Sequence, residues 1–216
     1  AQANVHVCIP TTPAQYFHLL RRQMNRSFDK PLVVFAPKFL LHHRLARSDL
    51  SDFTTGTHFF RVIDDGAPGD NTRHLGLHPV TQEQYNLPPT SIRRVVLCSG
   101  QIYYALNRVR RQKKSRDVVL VRLEQVAPFP HDLLTDVVER YPNAEVVWCQ
   151  EEPKNMGCWS YVQPRYAAAC IARGWEHRQK IRYVGRATQA STATASLAIH
   201  LEEMKRIVEQ ALAPDR

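Results

Sequence analysis

The hydrophobic positions of this chain switch between a period of two and a helical spacing several times. Val5, Val7 and Ile9 alternate with other residues and stop at Pro10, which predicts a short strand. Thr11-Thr12-Pro13 predicts a helix start, because threonine caps free amides and proline suits the first helical position. Phe17, Leu20 and Met24, with Tyr16 beside them, predict that helix's apolar face. Arg21, Arg22 and Arg26 stand where cations complement the helix dipole. Leu32 to Ala36, between Pro31 and Pro37, predicts a second strand. Two strands cannot bury a parallel sheet on both faces, so residues 1–63 read as the tail of a larger domain.

Residues 64–90 read as an exposed linker, rich in glycine and proline and poor in apolar residues. From residue 91 to 216 the pattern becomes regular. Strands are predicted at Val95–Cys98, Val118–Leu123, Val146–Cys149 and Ile181–Val184. Helices are predicted from Gln101, after Pro130, over Trp159–Ile171 and at the end of the chain. The helix after Pro130 presents Leu133, Leu134, Val137 and Val138; the last presents Leu197, Leu201, Met204, Val208 and Leu212. Strand–helix alternation of this kind predicts an α/β fold, a mainly parallel, doubly wound sheet.

In such sheets the ligand crevice lies beyond the carboxyl ends of the strands. There the third strand runs into Gln150-Glu151-Glu152-Pro153, and Gly157 frees the chain just before an aromatic segment. This polar cluster is either a site or the anchor of the next helix, and the anchor is the better reading of the two. Arg122 and Glu124 share a face at the end of the second strand and are expected to pair with each other or with Glu151 and Glu152. Arg186 ends the fourth strand, so it is expected to grip the Glu151-Glu152 cluster or a partner chain. Ser99-Gly100 opens a helix and reads as a structural turn, because neither dinucleotide nor phosphate-loop glycine patterns occur. His42 and His43 point to opposite faces of an extended segment and lack a third ligand, which argues against a metal. Asp64-Asp65-Gly66, with Asn71 and Asn86, imitates a magnesium–diphosphate signature, but its leading glycine is missing and no strand precedes it.

Charge and cysteine content narrow the classes. The net charge of +9 raises polyanion binding. The basic residues cluster at Arg21–Arg26, Arg108–Arg116 and Arg173–Arg182 without interleaved aromatics, so solvated helix ends are the better reading and nucleic acid is not favoured. Cys8, Cys98, Cys149, Cys158 and Cys170 form no C-x-x-C pair, and the first three lie in apolar runs, which points to a reducing compartment. No apolar run reaches the ~18 residues of a membrane span.

Several segments, in order, carry a family resemblance: TPAQYFHLLRRQ from Thr12, KPLVVFAPKFLL from Lys30, RVVLCSGQIYY from Arg94, VRLEQVAPFP from Val121, CQEEPKNMG from Cys149 and YVGR from Tyr183. Together they resemble the C-terminal end of the 2-oxoglutarate dehydrogenase E1 component, a thiamine-diphosphate enzyme of the transketolase-like family. The resemblance implies the end of a pyrimidine-binding domain followed by a whole C-terminal domain. It implies thiamine diphosphate and magnesium for the parent enzyme, with neither expected on this stretch, and it places no catalytic residue here. It further implies a homodimer working with the E2 succinyltransferase and E3 of a 2-oxoacid dehydrogenase complex. The compartment would be the mitochondrial matrix in a eukaryote and the cytoplasm otherwise. Lys30 and Asn155, inside matched segments, join Glu151, Glu152, Arg186, Arg122 and Glu124 as structural or effector-site candidates. The family's proline and glycine in the loop after Arg186 are Thr192 and Ala195 here, and arginine-histidine-proline is His42-His43-Arg44. His200 matches a family histidine and reads as a packing residue.

Three readings remain open at this point. The first is a non-catalytic piece of a decarboxylating dehydrogenase acting on 2-oxoglutarate, or on 2-oxoadipate, serving dimerisation, active-site shaping and regulation. The second is a stand-alone nucleotide- or polyanion-binding module. The third is a small enzyme built on Glu151, Glu152 and Arg186.

Overall fold

The computed structural model describes residues 4–66 and 87–213. Strand β1 (His6–Cys8) leads into helix α1 (Pro13–Met24), where the Thr12 hydroxyl accepts from the Gln15 amide as a cap and Pro13 opens the helix. Strand β2 (Leu32–Val34) then pairs parallel to β1, completing the expected βαβ unit. Short 3-10 turns at Lys38–His42 and Leu50–Phe53 follow.

Strand β3 (Val62–Asp64) was not expected. It pairs antiparallel to the outer side of the main sheet. Asp64 and Asp65, assigned to an exposed linker, are buried. Val62 and Ile63 supply too short an apolar run to read as a strand alone; the pairing comes from a partner with an open edge. The rest of that expectation, with Asn71 and Asn86, falls mainly outside the described residues.

The main sheet contains β4 (Arg94–Cys98), β5 (Val118–Leu123), β7 (Glu145–Pro153) and β8 (Arg182–Arg186), all parallel, in the order β3-β5-β4-β7-β8. The central strands β4 and β5 are buried along their whole length and rich in valine and leucine, as strands covered on both faces must be. Helices α3 (His131–Arg140) and α4 (Trp159–Ala172) cover one face, burying Leu134, Val137, Val162 and Tyr166 against Leu97, Val121 and Trp148. Helices α2 (Ile102–Gln112) and α5 (Leu197–Leu212) cover the other, burying Ile102, Leu106, Ile207 and Val208 against Val96, Leu120 and Val147. The doubly wound expectation therefore holds, with an antiparallel strand added at one edge. Between β5 and α3, strand β6 (Gln125–Ala127) leaves the main sheet and pairs antiparallel with β1. The N-terminal sheet is thus β2-β1-β6, and one of its three strands belongs to the following domain.

Two helix faces contradict the expected stripes. On α1 the buried residues are Ala14, Gln15, His18 and Leu19, while Tyr16, Phe17 and Leu20 are each more than two-fifths exposed and Met24 is 83% exposed. On α5 the stripe is buried from Ile207 onward, but Leu197, Ile199 and Leu201 are exposed. In both cases no surface among the described residues covers the apolar side.

Most of the clusters at Arg108–Arg116 and Arg173–Arg182 is solvent-exposed, as read from the sequence, but several arginines are used inside the molecule. Arg110, within the Arg108–Arg116 cluster, is fully buried and forks onto Asp65, at 3.1 and 2.5 Å. Arg93 and Arg94 donate to the last carbonyls of α5 at Ala211, Leu212 and Ala213. Arg178 does the same for the end of α3 at Val138 and Tyr141. These are orphan carbonyls of helix termini, where a guanidinium both donates and complements the dipole.

Candidate functional site

The order of the main sheet reverses between β4 and β7, and their carboxyl ends form its switch point. Gln150, on β7, organises this edge. It is 3% exposed, and its amide nitrogen donates to the carbonyls of Glu152, Pro153 and Met156, at 3.2, 3.0 and 2.8 Å. Its carbonyl oxygen accepts from Trp148 Nε1 and from the Trp159 amide, at 2.9 and 3.0 Å. One side chain therefore pins the loop and delivers the first amide of α4. Gly157 passes over it at φ +65°, and a Cβ there would meet the Gln150 amide at 3.0 Å. The stretch is an anchor for the next helix, as the preferred reading had it.

The two glutamates diverge. Glu151 turns inward and accepts from Gln101 Nε2 at 2.9 and 3.1 Å, beside the start of α2. Burial pushes its carboxyl up, against the Gln101 hydrogen bond, and the neighbouring Glu152 charge adds to the rise. Glu152 is exposed. A general acid–base pair needs both groups aimed at one point, and adjacent strand residues are not.

Arg186 does not meet either glutamate, which overturns the expected contact. It lies opposite Pro153 on β8 and is 6% exposed. Its Nε sits 3.0 Å from Glu203 on α5, and its other nitrogens donate to Gln189 Oε1 and the Thr192 carbonyl, at 2.5 and 3.3 Å. The Thr194 hydroxyl, together with Arg186, holds the Glu203 carboxyl below the usual range. Parallel strands do end on one side, but the first carboxylate in reach of β8 comes from the helix packed over it. Asn155 closes the same corner by pairing both amide atoms with the Gln189 backbone, at 2.9 and 3.1 Å. Its role is to tie down the loop after β8.

Arg122 and Glu124 are both fully buried and stay clear of Glu151 and Glu152. Thr11 joins them. Its hydroxyl donates to Glu124 Oε1 at 2.6 Å and accepts from Arg122 at 2.5 Å, while its amide donates to Glu124 Oε2 at 2.8 Å. Arg122 also stacks on Tyr103, 4.1 Å from guanidinium carbon to ring centre. Tyr104 donates to the Thr11 carbonyl at 2.6 Å. This buried network bolts the N-terminal segment onto the C-terminal sheet. Asp65 and Asp64 form a second bolt, through Arg110 and through Arg140 and Tyr141 respectively. No sequence signal marked Thr11 as a bridge.

The other candidates are placed without chemistry. Lys30 lies 5.5 Å from the Phe28 ring. His42 is exposed, and His43 packs between Phe39 and Tyr104. Ser99 donates to the Leu123 carbonyl at 2.7 Å, as a structural turn would. His200 is exposed rather than packed. Among the described residues no set of three His, Cys, Asp or Glu side chains comes together to hold a metal.

Residues 47–212 match the family described as 2-oxoglutarate dehydrogenase C-terminal, and residues 1–43 match the pyrimidine-binding domain of transketolase. The chain belongs to the 2-oxoglutarate dehydrogenase C-terminal family. The 2-oxoglutarate dehydrogenase E1 components of Brucella abortus, Brucella anthropi and Brucella melitensis are 42% identical to it over 212 residues. That alignment covers 98% of this chain and 20% of those proteins, so the chain spans about a fifth of their length. A split-gene transketolase, solved as an inactive β4 tetramer, superposes with a TM-score of 0.55 at 12% identity, over 99% of this chain and 59% of that one. That likeness shows the fold alone, the α/β architecture expected of this family.

Proposed function

We propose that this chain is the C-terminal part of a 2-oxoglutarate dehydrogenase E1 component, and that it builds and joins the enzyme rather than performs its chemistry. The parent would oxidatively decarboxylate 2-oxoglutarate on thiamine diphosphate with magnesium and pass a succinyl group to the lipoyl arm of E2, in a complex completed by E3. The observation that carries the division of labour is the α1 face. Tyr16, Phe17, Leu20 and Met24 are exposed on a helix whose polar side is fastened to this chain. Such a patch needs a covering surface, and the rest of the E1 subunit and its dimer mate are the natural ones. The free-cysteine content suits a reducing compartment, the matrix in a eukaryote or the cytoplasm in a bacterium.

The described residues do not fit a magnesium–diphosphate site. Asp64 and Asp65, the nearest imitation of one, are committed to Arg140 and Arg110. Calorimetry of this chain with thiamine diphosphate and magnesium is therefore expected to give no saturable heat; micromolar binding would overturn the assignment. Turnover of 2-oxoglutarate against 2-oxoadipate by the complete subunit tests the substrate half of the proposal.

A further inference from the structure

Several arginines are bound internally, but a group of uncompensated cations stands together at the carboxyl end of α2. Arg108, Lys113, Lys114 and Arg116 are exposed there and Arg111 is half-buried. Among the described residues none of these five lies within ion-pair distance of a carboxylate. Arg110 in their midst turns inward to Asp65, so the helix end splits into one buried cation and an outward crown.

The backbone adds a second observation. The helix ends in a Schellman turn, with the Ser115 amide bonded to the Arg110 carbonyl and the Lys114 amide to that of Arg111, both at 3.1 Å. Lys114 occupies the left-handed position of this turn at φ 52°. It is the only non-glycine residue with positive φ among the described residues, at a position where glycine is the ordinary choice. A lysine held there keeps a charge at the expense of backbone comfort, an outlier of the kind that points to use.

We propose that the crown of Arg108, Arg111, Lys113, Lys114 and Arg116 is a docking surface for an acidic polypeptide segment of another protein. The chemistry favours a peptide over the other polyanions. Tyr103 and Tyr104, the aromatics of this helix, are buried, so no base-stacking platform accompanies the charge. Five cations on one helix end fall short of the roughly 6–10 phosphate contacts of a typical duplex-binding protein. Between residues 102 and 116 no large apolar side chain is strongly exposed that could enter a lipid surface.

The test uses the whole chain with three probes at matched salt: labelled poly-glutamate, a DNA duplex and phosphatidylserine vesicles. Poly-glutamate is expected to bind best. The triple reversal Lys113→Glu, Lys114→Glu, Arg116→Glu should weaken it about tenfold. A reversal of equal charge elsewhere, Lys154→Glu, Lys180→Glu, Lys205→Glu, should cost less than about twofold. Equal losses in the two triples, or tighter binding of duplex or vesicles, would overturn the proposal. Lys114→Gly separates charge from fold: it should weaken poly-glutamate about twofold while raising Tm by about 2 °C. Unchanged binding, or a lower Tm, would show that Lys114 is not retained for its charge.

Discussion

Helices α1 and α3 carry comparable apolar stripes in sequence, yet they end in opposite environments. On α3 the stripe is covered: Leu134, Val137 and Val138 are at most 4% exposed against the main sheet. On α1 it is the polar side that is covered. Gln15 exchanges two hydrogen bonds with the Phe60 backbone, at 2.7 and 3.0 Å, and His18 Nε2 lies 2.6 Å from the Asp52 carbonyl. Arg21 donates to the Thr57 carbonyl and Arg22 to Gln125. Amphipathic pattern identifies an apolar face but not whose surface covers it. Burying a large apolar side chain is worth about 1.5–3 kcal/mol, so four such residues left outside define a surface whose stability is completed elsewhere. The C-terminal sheet supplies its own cover; the N-terminal layer borrows a strand, two buried bolts and, on this reading, a neighbour.

The largest effect should come from the bolts, which decide whether the two regions behave as one. Asp65→Ala removes the carboxylate onto which the fully buried Arg110 forks and should cost about 3–5 kcal/mol in denaturant unfolding. Pairing it with Arg110→Met should recover much of that loss, since neither charge is then stranded. A cost below about 1 kcal/mol for Asp65→Ala would mean that the seam is solvated and the regions are independent.

Next come two substitutions on one helix. Leu19, 1% exposed, should lose about 2–5 kcal/mol as Leu19→Ala. Phe17→Ser, two positions away and 42% exposed, should change the stability of the isolated chain by less than about 0.5 kcal/mol while reducing self-association. Similar costs at both positions would erase the contrast between covered and uncovered faces.

Much of the C-terminal half was legible for a physical reason. Parallel strands buried on both faces read as near-continuous apolar runs, and Val95–Cys98, Val118–Val121 and Val146–Cys149 are such runs. Strands β3 and β6 were not legible, because three residues carry little propensity and their pairing is set by open edges elsewhere in the fold. Arg110 does leave a trace in the sequence: it continues the helical spacing of Tyr103, Leu106 and Asn107, so it lies on the buried stripe and not on the solvated one. Gln150 left none, since nothing in Gln-Glu-Glu tells which of the three will turn inward. Arg186 was assigned the correct corner and the wrong carboxylate, because strand topology says nothing of the register of a helix that follows a loop.

Arg186 gives the third prediction, of middling size. Arg186→Met and Glu203→Gln should show a coupling of about 1 kcal/mol in a double-mutant cycle, as expected of a close charged pair with other hydrogen bonds. Arg186→Met with Glu151→Gln should be additive within about 0.5 kcal/mol. Coupling to Glu151 and none to Glu203 would restore the contact that the sequence suggested.

The smallest effect is a slope, and it belongs to the N-terminal layer. His6, on β1, is 5% exposed and stacks on Phe28. Burial, then the charges of Arg26, Arg22 and Lys30, lower its imidazole from 6.5 to about 4. The unfolded chain therefore takes up this proton near 6.5, while the folded chain resists it until about 4. Between those values the unfolded state holds more protons, so acidification favours unfolding. The contribution of His6 is complete above 6.5 and declines as the pH falls through this window. Buried carboxyls work in the opposite sense. Burial raises Glu124, Asp64 and Glu151, so the folded chain protonates them first and gains stability as the pH falls through their raised values. The wild-type slope mixes the two, and His6→Leu separates them, because the imidazole nitrogens make no hydrogen bond among the described residues that leucine would forfeit. Tm measured at about pH 7 and about pH 5 should fall less for His6→Leu than for the wild type. Equal falls would place acid sensitivity in the seam or the C-terminal sheet, and the half-covered N-terminal layer would no longer be the acid-labile side of the comparison.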